Sequence, residues 1–273
     1  MRLIDDRFQG TEHVIGSWLV DGVLIDPGPA STVDTLLEGL GDERPRVIAV
    51  THIHLDHSGA TGTLVQRWPD VEVWVHERGA PHLAEPEKLL RSAARLYGEE
   101  NMGRLWGQTL PVPRDRLRIL GDSDRLDAGF RSSYTPGHAS HHVSYLHEPS
   151  GTAFTGDAGG VRIGDGPAIA PTPPPDIDLE AFRASLDLIE GWDPSAIVPT
   201  HFGRQEDVRA HLDGVRVYLE EWAPRARELD QDAWIAAWRE YIAAVASEVD
   251  AMELATPPDQ QYLGLERYWS RYN

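Results

Sequence analysis

The chain has 273 residues, 41% of them hydrophobic, with 44 acidic against 25 basic side chains and a formal net charge of −19. Such a charge repels a phosphate backbone over a Debye length of ~10 Å, so nucleic-acid processing is not expected. There is no cysteine, hence no disulfide framework and no thiolate ligand, and the longest apolar runs fall far short of the ~20 residues that span a membrane.

In chain order, Met1-Arg2-Leu3-Ile4-Asp5-Asp6 places acids where a secretory signal needs an uninterrupted apolar stretch, so a cytoplasmic location is expected. Residues 17–25 alternate around Asp21-Gly22, the short-range signal of a β-hairpin with a type I′ turn. Residues 31–40 read as a helix. The runs 47–50, 132–134, 152–154 and 196–198 are short and bounded by Gly, Pro or charge, which fits buried strands. A second helix is expected over 58–68 with Ser58 as N-cap, setting His57 beside the positive end of a helix dipole and favouring its neutral form.

Residues 71–75 read as a further strand, and 85–106 have helical composition with Leu89, Leu90, Ala93, Leu96 and Tyr97 on one stripe. This insertion is expected either to cover a site, presenting Tyr97, Met102, Leu105 and Trp106, or to pack on the sheet. The Gly- and Pro-rich stretch from Gly159 to Pro175 has no helical or strand period and reads as a long loop walling a pocket. Asp178 then caps a helix with Leu179, Phe182, Leu186 and Ile189 on one face. Beyond Gly203 the sequence turns to long helices carrying Trp234, Trp238, Tyr241, Ile242, Val245, Val249 and Met252 at spacings of three and four. An isolated helix does not stabilise such a stripe, so it is expected to pack on the preceding unit, with a homodimer contact or part of the substrate cleft as alternatives. The expected division is 1–204 for the catalytic unit, with its insertion at about 77–110, and 205–273 for a helical extension.

Chemistry concentrates in Thr51-His52-Ile53-His54-Leu55-Asp56-His57. A loop leaving a strand aims alternate side chains into one space, so His52 and His54 can serve one ion while Asp56 and His57 reach another. Imidazole with carboxylate suits Zn²⁺, and also Fe or Mn. Catalytic ions take three protein ligands each, so further donors must come from elsewhere. Pro136-Gly137-His138, Thr155-Gly156-Asp157 and Pro199-Thr200-His201 each follow the end of an apolar run and offer them.

The HxHxDH run, the downstream Gly-His, the Thr-Gly-Asp and the late His, in that order, resemble the metallo-β-lactamase superfamily. Val23-Leu24-Ile25-Asp26-Pro27-Gly28 is similar to the aspartate-glycine turn that precedes them there, so the resemblance covers most of the first 205 residues. It implies an α+β fold, a four-layer αββα sandwich of two mixed β-sheets flanked by helices, here with a C-terminal helical extension. It further implies that His52, His54 and His138 hold one metal, Asp56, His57 and His201 a second, and that Asp157 bridges the two. Two divalent ions, Zn²⁺ first, would ionise a shared water near neutral pH, with Asp56 as the catalytic residue orienting it and carrying a proton to the leaving group.

The expected function is a binuclear metal-dependent hydrolase cleaving an ester-type bond (ester, lactone, thioester or phosphotriester) of a small molecule, similar to glyoxalase II-like and lactonase-like members. The alternative is an oxidoreductase resembling the mononuclear iron persulfide dioxygenases. The C-terminal helices offer no basic cluster for glutathione carboxylates, and Lys88, the only lysine, has no functional reading. An apolar pocket of Trp106, Phe202 and neighbouring aromatics would suit an uncharged substrate. Among the remaining histidines, His142 is expected to support a ligand by hydrogen bonding. Asp26 is expected to do the same, His76 to lie near the active edge, and His13, His82, His147 and His211 to be surface or packing residues.

Overall fold

The computed structural model describes residues 1–271. Six strands, β1 (Arg2–Asp5), β2 (Gly16–Val20), β3 (Val23–Ile25), β4 (Val47–Ala49), β5 (Glu72–His76) and β6 (Leu117–Leu120), form one sheet in sequence order. β1 to β3 pair antiparallel and β3 to β6 parallel. The second sheet has the order β11-β10-β9-β8-β7, from β7 (Ser123–Arg125), β8 (Phe130–Tyr134), β9 (Val143–His147), β10 (Thr152–Phe154) and β11 (Ala196–Val198). Only β10 and β11 are parallel there, so both sheets are mixed, as expected. The hairpin between β2 and β3 turns at Asp21 (φ 48°) and Gly22 (φ 81°), the two positive φ values a type I′ turn requires.

The helices are α1 (Val33–Leu40), α2 (Leu55–Ser58), α3 (Thr61–Arg67), α4 (Ala80–Ala84), α5 (Glu87–Tyr97), α6 (Glu99–Trp106), α7 (Leu179–Gly191), α8 (Val208–Glu228), α9 (Gln231–Val245), α10 (Val249–Ala255) and α11 (Pro258–Ser270). None among the described residues is long and apolar enough to cross a membrane. Period-two burial separates the layers. Trp18, Val20, Ile25 and Trp74 of the first sheet meet Phe130, Val143, Tyr145 and Phe154 of the second between the sheets. Leu24, Ile48, Val73 and Val75 point the other way and bury Leu36 and Leu40 of α1 with Leu64 of α3. Outside the second sheet, Phe182, Leu186 and Ile189 of α7 pack with Leu212, Val215 and Leu219 of α8, which completes the four layers.

That last cluster continues without a break into Trp234, Trp238 and Ile242 of α9, Met252 of α10 and Tyr262, Leu265 and Tyr268 of α11. The helical stripe therefore packs on the preceding unit, although Val245 at its end is 45% exposed. Asp178 caps α7 as expected, accepting from the backbone N–H groups of Glu180 and Ala181 at 3.1 and 3.0 Å.

Two local expectations are corrected. The helix over 58–68 is two helices: α2 starts three residues earlier, with His54 as its N-cap, and Ser58 ends it by donating to the carbonyls of Ile53 and His54. His57 thus sits in the last turn of a one-turn helix, and no dipole acts on it in the expected sense. The 85–106 stretch is broken at Gly98 (φ 82°) into α5 and α6, preceded by α4. β1, β6, β7 and β9 carried no reading from the sequence, since three are too short or too polar to show a period and β9 follows directly on the His141-His142 turn.

α11 reaches the long loop at Gly264, where an added Cβ would stand 1.9 Å from the Thr172 carbonyl oxygen and 2.8 Å from the Pro173 carbonyl carbon. Both neighbours are backbone and cannot rotate away. Gly264→Ala should therefore lower stability by ~1–3 kcal/mol, the usual cost of overpacking, despite alanine's better helix propensity. Thermal denaturation reads this as a lowered Tm; an unchanged or raised Tm would show that α11 is not seated on the loop.

Candidate metal centre

All seven expected ligands come from segments that follow the C-terminal ends of strands, and β8, β10 and β11 run the same way in their sheet. β4 leads into His52, His54, Asp56 and His57, β8 into His138, β10 into Asp157 and β11 into His201. In each sheet these strand ends lie at one edge, and the side chains converge there: the donor atoms of His52, His54 and His138 lie within 4.8 Å of one another, as do those of Asp56, His57 and His201. His52, His57 and Asp157 form a third such set that joins the two. Asp157 faces both ways, with Oδ2 3.3 Å from His138 Nε2 and Oδ1 3.3 Å from His57 Nε2 and 3.7 Å from His201 Nε2.

Hydrogen bonds on the far side of each ring fix which nitrogen faces inward. His138 Nδ1 lies 3.0 Å from the Pro171 carbonyl oxygen and His201 Nδ1 2.6 Å from that of Val14, and a carbonyl can only accept. His57 Nδ1 lies 2.8 Å from the Asp26 carboxylate. The Thr51 hydroxyl spends its one proton on Asp26 Oδ2 at 2.7 Å, so it must accept from His52 Nδ1 at 3.2 Å. In their neutral, metal-binding form these four imidazoles thus carry the proton on Nδ1 and turn the Nε2 lone pair into the centre. His54 instead presents Nδ1, 3.0 Å from both His52 Nε2 and His138 Nε2. Three nitrogen lone pairs crowded this closely are a cradle for a cation. On the other side His57 Nε2, His201 Nε2 and Asp157 Oδ1 are buried with no hydrogen-bond partner. Buried polar atoms are seldom left unmatched, so these residues fit divalent ions.

The two halves differ in electrostatics. Burial, reinforced by neighbouring imidazoles, holds His52 well below the usual histidine range and His54 down to about 4. His138 is lowered by burial as well. Burial would also lower His57 and His201, but the carboxylates outweigh it: Asp157, Asp56 and Asp26 raise His57 well above its usual value, and Asp157 with Asp56 raises His201. Against their own burial, Asp56 and Asp157 are lowered by the same imidazoles. One half is three neutral donors and the other is acid-rich.

Asp26 supports both halves. Its Oδ1 accepts from the Thr51 N–H at 2.8 Å, and its Oδ2 from the Thr51 hydroxyl, the Thr200 hydroxyl and His57 at 2.7, 2.7 and 2.8 Å. Gly156 makes room beneath, since a Cβ there would lie 2.5 Å from Thr51 Oγ1 and its φ is +47°. His142 takes the expected supporting part: Nδ1 is 2.9 Å from the Thr135 hydroxyl and Nε2 accepts the Ala158 N–H at 3.3 Å, so it has no free lone pair.

A cavity of about 570 Å³ opens onto His54, Asp56, His138 and Asp157. Asp56 has a side-chain exposure of 26% against 6% for Asp157. The insertion lines it with Leu89, Ala93, Leu96, Tyr97, Leu105 and Trp106, the loop with Pro171 and Pro173 to Pro175, and the C-terminal helices with Leu254, Ala255, Gln260 and Gln261. Phe8 stacks on Trp106 at 5.4 Å and Tyr97 meets it edge-on at 4.9 Å. Several expectations change. Phe202 does not line this cavity but packs on the His13 ring, and Met102 faces a separate groove. His82 and Lys88, given no role from the sequence, do line it, with Arg78. As expected, His147 and His211 are buried packing residues, the latter bonded to the Gly159 carbonyl, and His13 is a partly exposed residue paired with Glu248 at 2.6 Å; His76, at the end of β5, stacks on Tyr134 at 4.4 Å and does not line the cavity. Lys88 and Tyr97 lie nine residues apart on α5, ~13 Å by helical rise, so the cavity has a basic end and an aromatic end. A single sequence carries no signal for Gln260 and Gln261, which reach the cavity only because α11 folds back over the loop.

The sequence profile described as the metallo-beta-lactamase superfamily matches residues 12–201. The metallo-beta-lactamase fold-containing protein of Sulfurisphaera tokodaii is 30% identical over 189 residues, covering 66% of this chain and 68% of that protein. The hydroxyacylglutathione hydrolase of Gloeothece citriformis is 29% identical over 137 residues, covering 49% of this chain but only 41% of that enzyme's length. Among solved structures, an archaeal metallo-beta-lactamase superfamily protein from Sulfolobus tokodaii superposes with a TM-score of 0.63 at 25% identity, covering 77% of this chain and 82% of that one.

Because Asp26 accepts four hydrogen bonds in a dry setting, Asp26→Ala should cost ~3 kcal/mol or more, as each abandoned buried donor carries its own desolvation penalty. A chemical denaturation midpoint lowered at constant slope is the expected outcome. A midpoint equal to the parent's would mean the carboxylate holds nothing in place.

Proposed function

The chain belongs to the metallo-beta-lactamase superfamily, and from that premise we propose that it is a metal-dependent hydrolase with two divalent ions, zinc first, cleaving an ester-type bond of a small molecule. One observation carries the reading: two complete three-donor sets stand side by side, with the two oxygens of Asp157 turned one to each. In this reading His52, His54 and His138 would hold one ion and Asp56, His57 and His201 the other, with Asp157 placed to serve both. Bound there, the ions supply Lewis acidity toward a carbonyl or phosphoryl oxygen and a water acidified to a pKa of about 7.

The chain's own residues do the rest. Asp56 is the carboxylate of the set most open to the cavity, which suits it to orient the attacking water and to carry a proton to the leaving group. The Nδ1 bonds of His57, His138 and His201 fix their rings so that nothing must reorganise during turnover. Leu96, Leu105, Trp106 and the proline run keep the bond being cut away from bulk solvent, and the cavity volume lies in the range of small-molecule sites. Hydroxyacylglutathione hydrolases are among the relatives, but Gly203 onward falls outside the profile match, and the cavity's cations, Arg78 and Lys88, lie in the insertion. We therefore place the substrate among uncharged or weakly charged esters and lactones.

Elemental analysis of protein purified without added metal should give two ions per chain. A single iron would favour the persulfide-oxidising alternative. Chelation should abolish ester hydrolysis and readdition of Zn²⁺ restore it. Asp157→Ala should lose one ion and at least about a hundredfold in kcat/KM, since the bridging carboxylate contributes to holding both cations. Full turnover in that variant, or faster cleavage of anionic than of neutral esters, would overturn the assignment.

A further inference from the structure

Gln260 and Gln261, side by side near the start of α11, are 7% and 1% exposed, and both line the cavity. A carboxamide has an accepting and a donating end, and here the accepting ends are used. Gln260 Oε1 accepts from the Tyr97 hydroxyl at 3.1 Å. Gln261 Oε1 accepts from the Thr172 N–H at 2.7 Å and the Thr172 hydroxyl at 2.9 Å. The backbone N–H can only donate, which settles which end of Gln261 faces the loop. Neither Nε2 has a hydrogen-bond partner among the described residues. Two largely buried carboxamides are thus held by their oxygens, with N–H ends that meet no protein partner where they border the cavity and are free to donate to a molecule bound there.

The surroundings select the acceptor. Lys88 lies ~13 Å along α5 from Tyr97, and Glu253, the acid that the C-terminal helices bring to the cavity, is already paired with Arg239 at 3.0 Å, so a carboxylate or phosphate beside the amides would give up water without gaining a charged partner. An uncharged oxygen avoids that cost. Phe8, Tyr97 and Trp106 adjoin it with apolar surface. We infer that Gln260 and Gln261 form a specificity subsite for an uncharged carbonyl oxygen of the amide type, carried by the same small molecule whose ester-type bond is cut at the metal centre. The subsite deepens the ester-cleaving reading and rests on it.

The test compares two esters of equal chain length, para-nitrophenyl N-acetyl-β-alaninate, which carries an amide, and para-nitrophenyl hexanoate, which does not. The double variant Gln260→Glu with Gln261→Glu keeps an accepting oxygen for Tyr97 and Thr172 and removes both donors. The metal-loaded wild type should favour the amide ester, and its kcat/KM ratio over the hexanoate should fall at least about tenfold in the variant. An unchanged ratio, or no preference in the wild type, overturns the subsite. Gln260→Met, neutral and unable to donate, gives the same comparison without added charge and should lower the ratio about threefold. Calorimetric titration of N-butylacetamide, which has no ester, reads the subsite without turnover. Weaker binding to Gln260→Met supports it and equal binding overturns it. Amide binding without cleavage of either ester would leave the subsite standing and remove the hydrolase reading; cleavage with an unchanged ratio would do the reverse.

Discussion

A buried carboxylate with every oxygen engaged holds the centre together. Asp26 leaves β3 and ties Thr51 and His57, which follow β4 in the same sheet, to Thr200, which follows β11 in the other. Without this tie the two sheets still pack through Trp18, Trp74, Phe130 and Phe154, and backbone bonds such as Val143 N–H to the Thr51 carbonyl still join them, but Thr51, His57 and Thr200 lose their one common anchor. A charge buried in so dry a place persists only because four donors meet it. The same donors relay its orientation to His52, through the Thr51 hydroxyl, and to His57 directly.

From that edge outward, the molecule trades helix packing for an accessible cavity. α5 has no fully buried residue, so its apolar side is only partly covered and faces the space above Asp56. α11 is buried along one side and grips the loop at Thr172 through Gln261 and the close approach of Gly264. The contact between Tyr97 and Gln260 joins the insertion to the C-terminal helices across the cavity. Side chains from the insertion, the long loop and the C-terminal helices therefore enclose one volume, and each lies far from the others in sequence.

What was legible in the sequence followed from local physics. The Asp21-Gly22 turn, the Asp178 cap and the strands at 47–50, 152–154 and 196–198 each have a signature within a few residues, and each stands where expected within a residue. The ligand loop was legible because donors crowd into seven positions, and its partners because each follows a short apolar run. Ser58 misled because a serine before an apolar stretch looks like a cap, whereas its hydroxyl closes the preceding turn by bonding the carbonyls of Ile53 and His54. Phe202 misled because an aromatic residue carries no sign of which neighbour it will pack on; its ring meets that of His13 and not the cavity.

Sequence alone determined the superfamily, the two-sheet sandwich and the identity of the side chains that gather at its edge, because each depends on spacing and on residue chemistry. Only the tertiary structure decided which ring nitrogen faces inward, which oxygen of Asp157 faces which set, and that Lys88, His82, Gln260 and Gln261 share a cavity with them. Those outcomes depend on hydrogen bonds and packing between segments separated by as many as two hundred residues, and a linear pattern contains no term for such contacts.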